Sequence, residues 1–178
     1  LTHAQADHDG GAAAVLAAYP TRLLLDGRDG LRDSGGDRAA AVAARRGTVR
    51  ARPVAGQLLR AGPIGLRILW PPAEAPADHA GADPNERAVV AVAQDGPTSV
   101  LLTADAESDV TAGLVTGPVD VLKVAHHGSA DPGLAAELSV LRPRVAGIEV
   151  GARNTYGHPV PATVAALRRA AALVARTD

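Results

Sequence analysis

Short apolar blocks separated by polar turns run through this chain, and their periods predict alternating helices and strands. After a Gly pair, residues 10–19 carry an Ala-rich helical run, and residues 22–25 (RLLL) read as a strand, together one βα-type unit. Ser34 or Asp37 can cap a helix running to about Arg46 and stopped by Gly47, after which residues 48–53 return as an extended segment. Residues 64–70 (IGLRILW) have strand character closed by Pro71-Pro72, and residues 71–87, rich in Pro, Ala and Asp, read as a surface loop that exposes His79. The apolar runs 88–92 and 99–103 are joined by Asp-Gly-Pro turn chemistry, which predicts a hairpin. Beyond it the pattern predicts a helix over 107–115, a buried strand over 119–124, a helix over 132–141, a strand over 145–150 and a helix over 161–173. Strands alternating with helices predict an α/β fold.

Length changes this picture little: 178 residues suffice for one domain with a sizeable core, so 1–178 is read as a single unit. Composition changes it more. The chain has no Phe, no Met, one Trp and two Tyr, and of its 18 basic residues only Lys123 is not arginine. In so restricted an alphabet the rare letters are informative, and they cluster. Five of the six histidines, the lysine, one Tyr and one of two Asn fall within residues 1–11, 122–129 and 153–159. Each of the last two stretches follows a predicted strand, where sites assemble in α/β folds. The absence of cysteine excludes disulfides and thiolate metal ligands. A net charge of -1 exerts no global pull on nucleic acid or anionic membrane. No stretch approaches the roughly 20 apolar residues of a bilayer span, and the N-terminus has no basic region followed by a long apolar run.

In "THAQADHDGG", His3, Gln5, Asp7 and His8 are spaced so that one loop turns several lone pairs into a common pocket. Imidazole and carboxylate ligands without thiolate suit Zn²⁺, Mn²⁺ or Fe²⁺ better than Ca²⁺ or Mg²⁺. Asp105 in "LLTADAE" ends one strand, and His126 and His127 in "KVAHHGS" end the next. A carboxylate at a strand end can bridge two ions, and paired histidines can complete their coordination. Two ions roughly 3.5–4 Å apart can activate water at neutral pH and clamp both oxygens of an in-line displacement on phosphorus.

"THAQADHDGG", "VLLTADAES", "VDVLKVAHHGS" and "EVGARNTYGHP" resemble, in order and spacing, the metallo-β-lactamase-fold domain at the C-terminal end of the bacterial competence protein family ComEC, membrane channels for transforming DNA. The resemblance runs essentially the whole chain, and "LKVAHHGS" with "NTYGHP" is its most specific part. It implies a four-layer αββα sandwich, here an incomplete one, whose first strands would precede the first motif and whose final strand would follow residues 176–178. It implies metal ligands at His3, Gln5, Asp7, His8, Asp105, His126 and His127 for two divalent ions, Zn²⁺ or Mn²⁺, with Asp7 and Asp105 as catalytic groups. It departs from the family at Gln5, where Asp is usual, at Ala104, where Gly is usual, and at Arg87, where Ser is common near Asn85. The neutral amide of Gln5 is a weaker donor, and Ala104 puts a Cβ where the backbone needs freedom.

Lys123 reads as a phosphate contact, and Ser129 either as a phosphate donor or as a turn cap. Asn154, Tyr156 and His158 read as substrate-binding groups held by Gly157 and Pro159, with ligand, general acid and phosphate contact all open for His158. Seven arginines and no acid lie between Arg38 and Arg67, a run that could follow single-stranded DNA through phosphate contacts or simply be solvated. The expectation is a metal-dependent hydrolase, a DNA phosphodiesterase or exonuclease of natural transformation. It would be a soluble domain joined to the transmembrane channel of a bacterial plasma-membrane protein, on its outer face. The alternatives are a hydrolase of small esters or phosphodiesters on the same fold, and a catalytically impaired module that binds DNA or a partner. Open sheet edges predict poor solubility of the isolated piece.

Overall fold

The computed structural model describes the whole chain except Asp29, residues 75–82 and Ala172, so His79 lies outside the described residues. Its frame is a seven-stranded sheet in which sequence order is also spatial order: β3 (Leu58–Ala61), β4 (Ile64–Trp70), β5 (Val90–Asp95), β6 (Thr98–Leu102), β7 (Val121–Lys123), β8 (Val145–Ile148) and β9 (Leu173–Arg176). β3 to β6 are antiparallel and β6 to β9 parallel. Loop length explains the switch. Gly96-Pro97 alone joins β5 to β6, with Gly96 at φ 53, a positive value suited to a two-residue hairpin. Parallel neighbours need crossovers, and α4 (Ser108–Thr111), α5 (Leu134–Leu141) and α6 (Pro161–Ala170) provide them. A second sheet pairs β1 (Leu23–Leu25) in parallel with β2 (Val49–Ala51), next to α1 (Ala6–Asp9), α2 (Ala12–Ala18) and α3 (Ser34–Arg45).

Side-chain alternation sorts these elements into layers. Leu101, Leu122, Ala146 and Ile148 lie on one face of the large sheet and bury against Leu134, Leu138 and Leu141 of α5 and Val164 and Leu167 of α6, which recur at helical spacing. On the opposite face Ile68 and Ala91 meet Leu25 of β1. Leu24, the neighbour of Leu25, points the other way and packs on Leu16 of α2 and on Ala39 and Ala43 of α3. The order is therefore helices, large sheet, small sheet, helices, so the α/β reading and its αββα layering are borne out, with the second sheet short. It covers the antiparallel half of the large sheet; on the parallel half Leu102 and Leu173 are exposed and Val100, Val121 and Val145 half-buried.

Three expectations need correction, and one strand was not foreseen. The helix ending at 173 stops at Ala170, because residues 173–176 pair with β8 as β9. β3 has no clear alternation and is visible only through its pairing with β4. The helix over 107–115 shrinks to the single turn of α4. The cap of α3 is Asp33, whose carboxylate accepts from the backbone N–H of Gly35 and Gly36, rather than Ser34 or Asp37.

Candidate metal centre

The carboxyl ends of β6, β7 and β8 deliver three of the four motifs to one edge of the sandwich. The first motif arrives from the other side. Leu1 is held beside β1 by its amino group donating to Leu25 O and its carbonyl accepting from Gly27 N, and Thr2 O accepts from Val89 N at the entrance to β5. Residues 6–9, expected as loop, form the turn of α1, which carries Asp7 and His8.

These connections bring one atom each of Asp7, His8, Asp105 and His127 within 4.8 Å of one another. Asp105 is the hub and is 1% exposed. Its Oδ2 lies 3.1 Å from His8 Nε2, 3.6 Å from His127 Nε2 and 3.8 Å from His3 Nε2, while Oδ1 lies 3.6 Å from Lys123 Nζ. None of these contacts is a well-directed hydrogen bond among the described residues, so buried carboxylate lone pairs converge with imidazoles without being satisfied by them. Burial on its own would raise the Asp105 pKa; the His8 contact and the charges of His8, Lys123 and His127 more than offset it and hold the group below its ordinary value.

The histidine tautomers fit a cation. His127 Nδ1 lies 2.7 Å from Glu149 O, an acceptor only, so in the neutral ring Nδ1–H donates and Nε2 presents its lone pair 3.3 Å from Asp7 Oδ2 and 3.2 Å from His8 Nε2. His126 Nδ1 faces the Glu107 carboxylate at 3.0 Å and is oriented in the same manner, and Ser129 Oγ also donates to Glu107. His3 is 1% exposed, its Nδ1 lies 3.1 Å from Thr2 Oγ1, and its buried Nε2 has no hydrogen-bond partner among the described residues. Burial, with the charge of His8 next, lowers its pKa to about 4, which keeps the ring neutral and available as a ligand at neutral pH. A divalent cation would satisfy these orphaned lone pairs, and the donor set is of the kind that Zn²⁺ or Mn²⁺ accepts.

Backbone strain collects here. Ala104, His126 and His127 have φ of 49, 46 and 53, three of the four non-glycine residues in the left-handed region among the described residues. Such residues cost on the order of 1–3 kcal/mol each and gather at functional sites. Gly128, at φ 82, brings the paired-histidine turn against the loop after β8: a Cβ there would lie 2.6 Å from Pro159 Cβ.

The remaining singled-out residues divide into two groups. Asn154, Tyr156 and His158 line a pocket of about 340 Å³ together with Asp7, His8, His127, Glu149, Val150 and Gly151. Asn154 staples that loop: its amide donates to Gly151 O and His158 O, and its oxygen accepts from the backbone N–H of Gly157 and His158. His158 has a lowered pKa, first from burial and then from the charges of His126 and His127. Lys123 and Ser129 do not line this pocket. Lys123 Nζ donates to Ala104 O at 2.6 Å beside Asp105, burial lowers its pKa, and Ser129 is 7% exposed. Gln5 donates from Nε2 to Asn85 Oδ1 at 2.6 Å. Glu107, Glu149 and Asn85 were missed by sequence reasoning. Glu107 had a signal, an acid two residues after Asp105, but Glu149 acts through its carbonyl, which no side-chain pattern reveals.

No family model matches the sequence. Over its whole length the chain is 29% identical to "ComE operon protein 3" of Bacillus subtilis, and over 99% of its length 31% identical to "Recombination protein 2" of Haemophilus influenzae. The aligned region makes up 23% and 20% of those two proteins, so the chain spans about a fifth of the curated relatives it matches. Among solved structures it is similar to a mutant "CmlA beta-hydroxylase" at 12% identity and a TM-score of 0.49, covering 88% of this chain and 38% of that one.

Proposed function

We propose that this chain, whose resemblance to the ComEC competence proteins is borne out along its entire length, is a metal-dependent phosphodiesterase acting on DNA. The observation that carries the reading is the convergence of Asp7, His8 and His127, which line an open pocket, on the buried and unsatisfied Asp105 carboxylate. Two divalent cations, Zn²⁺ or Mn²⁺, held by these residues with His3, Gln5 and His126, would supply Lewis-acid polarisation of a phosphoryl oxygen and a water of lowered pKa.

The chain's own groups do the rest. Asp105 supplies the buried negative charge around which the imidazoles are arranged, and Lys123, 3.6 Å away, balances it while tying the strained Ala104 carbonyl in place. Glu149 O and Glu107 hold one nitrogen of His127 and of His126 so that the other keeps its lone pair for ligation. Asp7, half exposed and lining the pocket, would accept a proton from an attacking water. His158, whose pKa burial lowers, lines the same pocket and would exchange a proton with a leaving oxygen. DNA as substrate rests on the competence resemblance and on a relative that carries recombination in its name. Attachment to a membrane channel rests on the same resemblance, since no described helix is long and apolar enough to cross a membrane.

The test is cleavage of end-labelled single-stranded DNA with Mn²⁺ or Zn²⁺ by the parent and by Asp105→Asn. The parent should cut and the variant should lose at least about 10³-fold in rate, the scale of removing a centre's principal ligand; equal rates would sink the reading. Gln5, a neutral amide turned toward Asn85, favours one second reading: a DNA-binding module with an impaired centre, which would bind DNA without metal and never cut it.

A further inference from the structure

Tyr156 is 82% exposed, yet it is not on a slack loop. Four hydrogen bonds of the Asn154 amide close the turn around it, with Gly157 at φ 79. Its ring plane lies within 13° of the His158 ring, with centroids 6.3 Å apart, and both rings line the pocket that holds Asp7, His8 and His127. The chain has only three Trp, Tyr or Phe residues. Trp70 is engaged, packing on the core and donating from Nε1 to Glu86 O, and Tyr19 does not line this pocket. Tyr156 stands nearly parallel to a second ring, and both line the cation-competent pocket.

From this geometry we infer that Tyr156 is a stacking platform for a nucleobase: the base next to the bond to be cut lies on the Tyr156 ring, and its sugar–phosphate is thereby held over the Asp7–His8–His127 floor. This rests on the nuclease reading above and deepens it, because it makes the substrate an unstacked base, that is, a single strand or a frayed end. Every base has a π-face, so the contact selects strandedness rather than sequence, and it acts on binding rather than on the chemical step.

The full-length native chain is tested with two strands differing only at the terminal residue, one bearing 2-aminopurine and one an abasic sugar. Binding is read by 2-aminopurine fluorescence without added metal, and cleavage with Mn²⁺. The expected result is quenching by the parent and by Tyr156→Phe, loss of quenching in Tyr156→Ala, and a roughly tenfold rise in KM for Tyr156→Ala with kcat within about twofold. With the abasic strand, parent and Tyr156→Ala should be alike. Unchanged quenching and KM in Tyr156→Ala, or an equal loss on both strands, overturns the inference and leaves the nuclease reading standing. Quenching that depends on Tyr156 without any cleavage by the parent sinks the nuclease reading and keeps the platform. Absence of both cleavage and quenching sinks both.

Discussion

Gln5 shows what one residue decides. Its Nε2 donates to Asn85 Oδ1, an arrangement a carboxylate could reproduce only if Asn85 turned its own amide to donate. That rotation is open to Asn85, so Gln5→Asp should add a charged ligand beside His3 without disturbing the fold. The expected outcome is metal affinity at the first-motif half of the centre raised by about tenfold, or ~1.4 kcal/mol, read as ions retained after dialysis by elemental analysis. Unchanged stoichiometry and affinity would show that Gln5 stands outside the coordination. At this scale the sequence was most legible, because His3, His8 and His127 are rare letters in a chain of Ala, Gly, Val and Arg and meet Asp7 and Asp105 at one centre. Glu107 and the carbonyl of Glu149 were not legible, since their importance lies in which imidazole nitrogen they occupy.

At the scale of elements, the turns after the parallel strands carry the strain. Ala104 ends the connection from β6 in the left-handed region at φ 49 and is 6% exposed, with its carbonyl fixed by Lys123. A Cβ there costs roughly 1–2 kcal/mol that glycine would not incur, less glycine's own entropy. Ala104→Gly should therefore stabilise the chain by about 1 kcal/mol and raise Tm by about 2–4 °C, measured by thermal unfolding; a lower Tm would show that the methyl group's packing outweighs the strain. The helix over 161–173 and the missed β3 teach the converse. Ala171, Leu173 and Val174 suit a helix locally, and only the open edge of β8 recruits residues 173–176 as a strand.

For the whole molecule, the buried titratable groups set how stability follows pH. In the metal-free chain His3 has a folded pKa of about 4 against an ordinary 6.5, so the stability of its neutral form is complete above 6.5 and is lost as pH falls toward 4. Asp9 runs the other way. Burial, then the neighbouring Asp33, raises its pKa from 3.8 to about 6, so its contribution is present below 3.8 and lost as pH rises through 6. Asp9→Asn should therefore raise Tm at pH 7 relative to the parent and narrow that advantage at pH 5; an equal shift at both pH values would refute the assignment. Adding Zn²⁺ or Mn²⁺ at about 100 times its Kd should stabilise the parent by about 2.7 kcal/mol and leave Asp105→Asn unmoved, checked by the same melts.

The sequence alone determined the alternation of helices and strands, the chemistry of the donors and the strand ends that bear them, because periodicity and residue type are local properties. The tertiary structure decided which of those donors meet. Asp105 becomes a buried hub only where β6, β7 and the first motif converge, His126 and Lys123 are drawn toward Glu107 and Ala104, and Tyr156 is left bare on a stapled loop. Distances between residues a hundred positions apart depend on register and layer packing, and no local pattern carries that information.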